Sequence, residues 1–193
     1  MKYVKIIGLL AVATAALMVF AGSASADTFT SPTGTVYTGE IVADAEGHAV
    51  LDNPIAKIEC ASSVKGKVEE HGAGKVVKGN ISALSFTGCT NQWHVTVEAA
   101  GTLSVNNEGA STSVFSSGAT VEATRFGVTC RYATNNTKVG GWTNSATDSS
   151  HATIHITASV PLHSGSFLCG EGATTWTGGY TVIQPVPLIV HNT

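Results

Sequence analysis

The chain has 193 residues, 10 of them basic and 13 acidic, for a formal charge of −3. Only 12% of residues are charged, against about 25% in ordinary soluble domains. Its densest basic cluster (Lys65, Lys67, Lys75 and Lys78) is diluted by Glu69 and Glu70, so nothing forms the patch that nucleic acid or anionic lipid requires.

Met1–Lys5 carries two lysines, Ile6–Phe20 is apolar, and small residues follow up to Ala24-Ser25-Ala26. A positive start, an apolar centre and an A-x-A end are the parts of a secretory signal peptide. Residues 1–26 are therefore expected to be removed, and residues 27–193 to form one secreted domain of the extracellular space or cell envelope. The apolar run is shorter than the roughly 20 residues of a spanning helix. No later run is long enough to span, and no integral membrane segment is expected after cleavage. Removal leaves 167 residues with 8 basic and 13 acidic groups, formally −5.

Beyond residue 26 there are 18 valines and 6 leucines. Valine is β-branched and suits strands, whereas leucine suits helices. No apolar i, i+3, i+4, i+7 pattern occurs there. Thr28–Thr35 reads as an edge or loose arm. Val36–Val42 is placed against Ala49–Leu51 across Asp44-Ala45-Glu46-Gly47. Ile55–Cys60 and Ser63–Val68 read as short strands, and Glu70-His71-Gly72-Ala73-Gly74 as a hairpin turn before Val76–Thr87.

After the corner Gly88-Cys89-Thr90-Asn91, Trp93, Val95 and Val97 share one face, and His94, Thr96 and Glu98 the other. Leu103 and Val105 return on the core face. Asn106-Asn107-Glu108-Gly109 is the seam between two similar halves, 27–105 and 110–193. In the second half Thr112–Phe115 and Ala119–Thr124 are strands. Phe126, Val128, Cys130 and Tyr132 are placed on one face. Ile154, Ile156 and Ala158 point inward, with Thr153, His155 and Thr157 outward. Thr174–Ile183 and Leu188–Val190 close the chain, parted by Pro185-Val186-Pro187, which belongs at an edge. About a dozen short strands with turns every 8–12 residues predict an all-β fold, an antiparallel β-sandwich or partly closed barrel.

The four cysteines, Cys60, Cys89, Cys130 and Cys169, are even in number and lie in the secreted part. That predicts two disulfides. Three pairings are open, and an internal repeat favours Cys60–Cys89 with Cys130–Cys169. Each pair opens on an alternating strand, closes at a Phe-x-x-Cys or Phe-x-Cys corner, and is followed by a strand led by Trp93 or Trp176. No C-x₂₋₄-C or C-x-x-C spacing supports a zinc or redox site.

His151 and His155 would share a helix face, but on a strand they stand about 13 Å apart, too far for one ion. No metal and no cofactor is expected. No G-x-S-x-G elbow is present, and the chain is read as not an enzyme. The acids that could pair for glycoside hydrolysis are Glu59, Glu98, Glu122 and Glu171. Three residues are candidate ligand contacts. Trp142, between Gly140-Gly141 and Asn144, is placed in an exposed loop where an indole would meet a sugar or a partner. His94 and His155 lie on outward strand faces.

Leu84-Ser-Phe-Thr-Gly-Cys-Thr90, Gly165-Ser-Phe-Leu-Cys169, and Tyr180-Thr-Val182 followed by Pro187-Leu188 are the pieces in which the chain resembles a known group. These are uncharacterised secreted four-cysteine β-rich proteins of actinobacteria. In strand and cysteine layout it is also similar to the PraB-type secreted proteins. No activity is attached to the first group, so no functional residue is carried over. The expected function is that of a secreted or cell-surface, non-enzymatic β-sandwich protein that binds or builds, its partner an extracellular or cell-wall glycan or a protein. The alternative is a small carbohydrate-binding or glycan-hydrolysing jelly-roll module.

Overall fold

A computed structural model describes residues 27–31, 33–70, 76–107, 111–147, 150–170 and 172–192. The signal segment 1–26, residues 71–74 of the hairpin turn, residues 108 and 109 of the seam loop and Glu171 lie outside the described residues; Asn106 and Asn107, expected in that loop, are the end of a strand.

The described chain is fourteen strands: β1 (Asp27–Thr30), β2 (Glu40–Ala45), β3 (Ala49–Asn53), β4 (Ala56–Glu70), β5 (Val77–Thr87), β6 (His94–Ala99), β7 (Thr102–Asn107), β8 (Thr112–Ser117), β9 (Thr120–Arg125), β10 (Val128–Ala133), β11 (Thr137–Thr143), β12 (Thr153–Gly165), β13 (Ala173–Gln184) and β14 (Ile189–Asn192). Twelve form one antiparallel sheet; β1 and β14 form a separate pair.

Four pairs of short strands lie end to end. β4 pairs with β3 through residues 56–60 and with β2 through 63–67, so 40–53 is one interrupted strand. β13 runs along its other side, 180–184 against β2 and 175–177 against β3. By the same reasoning β6 continues into β7, β8 into β9, and β10 into β11. Eight strand lines result, each antiparallel to the one before it in sequence, and the last returns to the first. This is an up-and-down barrel. It is closed through β2, β4, β5, β7, β8, β11, β12 and β13 at one end. At the other, β5 bonds to β7 only over Val77–Asn80, and β5 and β6 are unpaired.

Two local expectations are corrected here. β2 does not fold back on β3; Glu46-Gly47-His48 is a bulge between collinear strands, with Gly47 at φ +80°. Residues 56–60 and Ser63–Val68 are parts of the single strand β4, and Ile55 stands in the turn before it.

Side chains alternate as the barrel demands. On β12, Ile154, Ile156, Ala158 and Val160 are buried, whereas His155, Thr157 and Ser159 face out. On β4 the outward row includes Lys57, Glu59, Ser63, Lys65 and Lys67. An apolar interior and a polar exterior are the reverse of a bilayer-spanning barrel. Among the described residues no helix is long and apolar enough to cross a membrane. The interior is filled. Three cavities of about 60, 30 and 30 Å³ follow one another along it, far below the roughly 300 Å³ of a small-molecule pocket.

The β1–β14 pair covers one end. Phe29 of β1 reaches the cavity lined by Ile41, Val68, Val77, Val105 and Trp142. Asn144 ties β14 in place: its Oδ1 accepts from Val190 N at 2.7 Å and its Nδ2 donates to Val190 O at 3.0 Å. Leu188 N donates to Ser145 Oγ at 3.0 Å.

The disulfides are Cys60–Cys89 and Cys130–Cys169, spanning 29 and 39 residues. The first links the second strand line to the corner after the third. The second links the sixth line to the corner after the seventh. Both therefore brace the end away from β1 and β14.

Candidate functional site

Trp142 is not exposed. It sits in β11 at 7% exposure, packs on Phe29 with ring centroids 5.0 Å apart, and donates from Nε1 to Asn144 Oδ1 at 2.8 Å. The glycines before it are not loop glycines. A Cβ at Gly140 would collide with the His155 carbonyl of the neighbouring strand, so glycine is there to let two strands approach.

His94 and His155 are both outward and exposed, as read from the sequence, but they are not brought together. His94 is on β6, opposite Thr124 of β9. His155 is on β12, where its Nε2 lies 3.2 Å from Thr153 Oγ1. His151 uses its Nδ1 on the carbonyl of Val182, at 2.7 Å. Among the described residues no three His, Cys, Asp or Glu side chains converge.

Of the acids, Glu98 and Glu122 do meet, but on the same cation. Arg131 of β10 holds Glu98 Oε1 at 2.9 Å through Nη2 and Glu122 Oε2 at 2.8 Å through Nε. Glu59 is paired with Lys57 at 2.7 Å. A carboxyl that must protonate a leaving group and one that must attack or activate water need separate, free positions. This pair is committed to one guanidinium.

What the fold does assemble is at the disulfide end. Strands β9 and β10 are joined by two residues, Phe126 and Gly127, with φ of +49° and +80°. A two-residue hairpin with two positive φ values is the type I′ turn, normally built from Asn and Gly. Phenylalanine is sterically strained there, and its ring is 78% exposed with the Arg125 guanidinium 4.6 Å from its centroid.

The neighbouring turn, after β12, is equally fixed. Ser166 N donates to Thr129 O at 3.0 Å, Cys169 N to Ser166 O at 2.9 Å, and Leu168 N to Ser166 Oγ at 3.3 Å. The Cys130–Cys169 bridge fastens this turn to β10. On top of it Phe167 stands 90% exposed and Leu168 45%. Ile55, in the turn between β3 and β4, is also exposed at this end. The Asn53 side chain holds that turn by accepting from Ile55 N and Ala56 N at 3.0 and 2.9 Å.

Beside these two turns runs an open groove of about 410 Å³, lined by Gly127, Thr129, Arg131, Ser164, Gly165 and Ser166. Its lining is hydroxyls, glycine backbone and one guanidinium, and Gly127 and Ser166 are the chain neighbours of Phe126 and Phe167. Sequence reasoning missed Phe126, placed with the inward face of β10, and gave Phe167 only the role of a corner before Cys169. The signal available was the dipeptide Phe126-Gly127 between two alternating runs, a hairpin turn with the wrong residue for its first position.

No family model, no curated protein and no solved structure matches the chain.

Proposed function

We propose that the chain is a secreted, non-enzymatic β-barrel protein of the cell surface that binds its partner with the disulfide-braced end. The observation that carries this reading is a pair of rings, Phe126 and Phe167, held almost fully in solvent by a strained turn and a cross-linked loop. Folding gains nothing from apolar rings left in water, so their place is better explained by contact with something else. The filled interior argues against a ligand carried inside. The commitment of Glu98 and Glu122 to Arg131 argues against a carboxylate-pair hydrolase. Export is supported by the A-x-A segment and by the two disulfides, which persist in oxidising surroundings.

A second reading is favoured by the groove beside the two turns: glycan binding along Thr129, Arg131, Ser164 and Ser166, without hydrolysis. Hydroxyl and guanidinium donors along an open groove are what a sugar would need.

The test is retention on envelope fragments of the producing cell, without reductant. The chain recovered from the medium is expected to start at Asp27 and to be lighter by the hydrogens lost in two disulfides. It is expected to stay with the fragments, and the Phe126→Asn/Phe167→Ser variant to wash off. Equal retention of both forms overturns the reading.

A further inference from the structure

We infer that the disulfide end docks on the surface of a lipid bilayer, with Phe126, Phe167, Leu168 and Ile55 inserting as apolar pegs; this rests on the reading that this end is the binding end.

Two features favour lipid over another surface. The first is shape. The apolar residues sit at three separate turns, and none of them lines the groove. Projecting tips enter a fluid layer without a complementary partner. The second is composition. Leu168 and Ile55 are aliphatic and have no face to stack on a sugar ring. They belong with Phe in the acyl boundary of a membrane.

The polar neighbours fit the same placement. Arg125 lies over the Phe126 ring and makes no ion pair among the described residues; its Nε is buried without a hydrogen-bond partner, which leaves the terminal nitrogens as its contact atoms. With the ring inserted, this guanidinium lies at the level of the lipid phosphates, the arrangement of an interfacial aromatic–cation anchor. The hydroxyls of Thr129, Ser164 and Ser166 then face headgroups. Arg131 is neutralised by Glu98 and Glu122, so attraction to anionic lipid is not the driving force. The docking is hydrophobic, in keeping with the sparse charge of the whole chain.

The experiment uses the chain from Asp27 onward, which holds every described strand, and sediments it with vesicles of phosphatidylcholine, with and without phosphatidylglycerol. Lipid-free peptidoglycan sacculi are the parallel arm. The wild type is expected to partition onto both vesicle types to a similar extent and to stay bound at high salt. Phe126→Asn/Phe167→Ser is expected to lower the partition coefficient about tenfold or more, with an unchanged thermal transition. Val186→Ser, on the opposite end of the barrel, is expected to leave it unchanged. No vesicle binding by the wild type, or equal binding by wild type and double variant, overturns the lipid assignment. If the wild type ignores vesicles but binds sacculi and the double variant does not, lipid is refuted while the binding end stands. If neither form binds vesicles and both bind sacculi alike, both readings fall.

Discussion

Trp142 and Phe29 pack ring against ring, 5.0 Å between centroids and tilted by 55°, and this contact joins the first described strand to the inside of the barrel. One residue belongs to β11; the other belongs to a strand that is not part of the main sheet at all. The indole therefore serves as the floor on which the terminal β1–β14 pair is laid.

Truncating either ring should open that end. Trp142→Ala is expected to cost about 3–5 kcal/mol in urea unfolding, the usual range for a buried aromatic, and to leave binding by the folded protein unchanged. A loss under about 1 kcal/mol would mean that the ring faces solvent.

The two disulfides should separate stability from function. Removing either bridge by Cys→Ala pairs is expected to cost roughly 3.5–4 kcal/mol on the chain-entropy model, since they close 29 and 39 residues. Loss of Cys130–Cys169 also frees the turn that carries Phe167, so it should weaken surface binding at a temperature where the variant is still folded. Loss of Cys60–Cys89 should not. The comparison is urea unfolding alongside envelope retention, and equal effects on binding would contradict it.

At Phe126 the two properties should move apart. Asparagine accepts positive φ at lower strain, worth about 1–2 kcal/mol for an L-residue. Against this, the Arg125 guanidinium no longer has a ring to cover, an interaction worth about 0.5–1 kcal/mol at an exposed site. Phe126→Asn is thus expected to leave stability level or slightly raised and to reduce binding. A clear fall in stability would show that the ring supports the fold.

Much of this was legible in the sequence, for reasons that differ by element. Trp93 and Val95 are buried and His94 and Thr96 exposed because a strand with one wet face writes its register as alternation. The cysteine pairing followed from the likeness of the two corners. Barrel closure was not readable: Tyr180–Gln184 meets Val42–Ala45 more than 130 residues away, and no local pattern encodes that partner. Trp142 was misread because Gly140-Gly141 has the composition of a loop, whereas the glycines serve a close strand crossing. Phe126 was misread because the alternation of β10 runs on by one step into the turn.

Alkaline pH should reveal the buried hydroxyl of Tyr180. Burial pushes it above its ordinary value of 10.0, against a smaller opposite effect of its 2.9 Å bond to Ser62 Oγ. The folded chain holds this proton more firmly than the unfolded chain. The group's contribution is therefore complete below about pH 10 and is lost as pH rises through the folded value. Tyr180→Phe should cost about 1 kcal/mol at neutral pH, because the hydrogen bond to Ser62 is gone, and should flatten the alkaline decline. Urea midpoints for both forms across that range decide it; parallel declines would contradict the assignment.

The central claim is that the barrel works through its disulfide-braced end. The most direct measurement is amide hydrogen exchange on the oxidised chain, free and bound to envelope fragments of its producing cell. Slowed exchange confined to the turns at 54–55, 126–127 and 166–170, with the β1–β14 end unchanged, is the predicted footprint. Protection at β1 and β14, or along the outward faces of the strands with those turns unaffected, would contradict it.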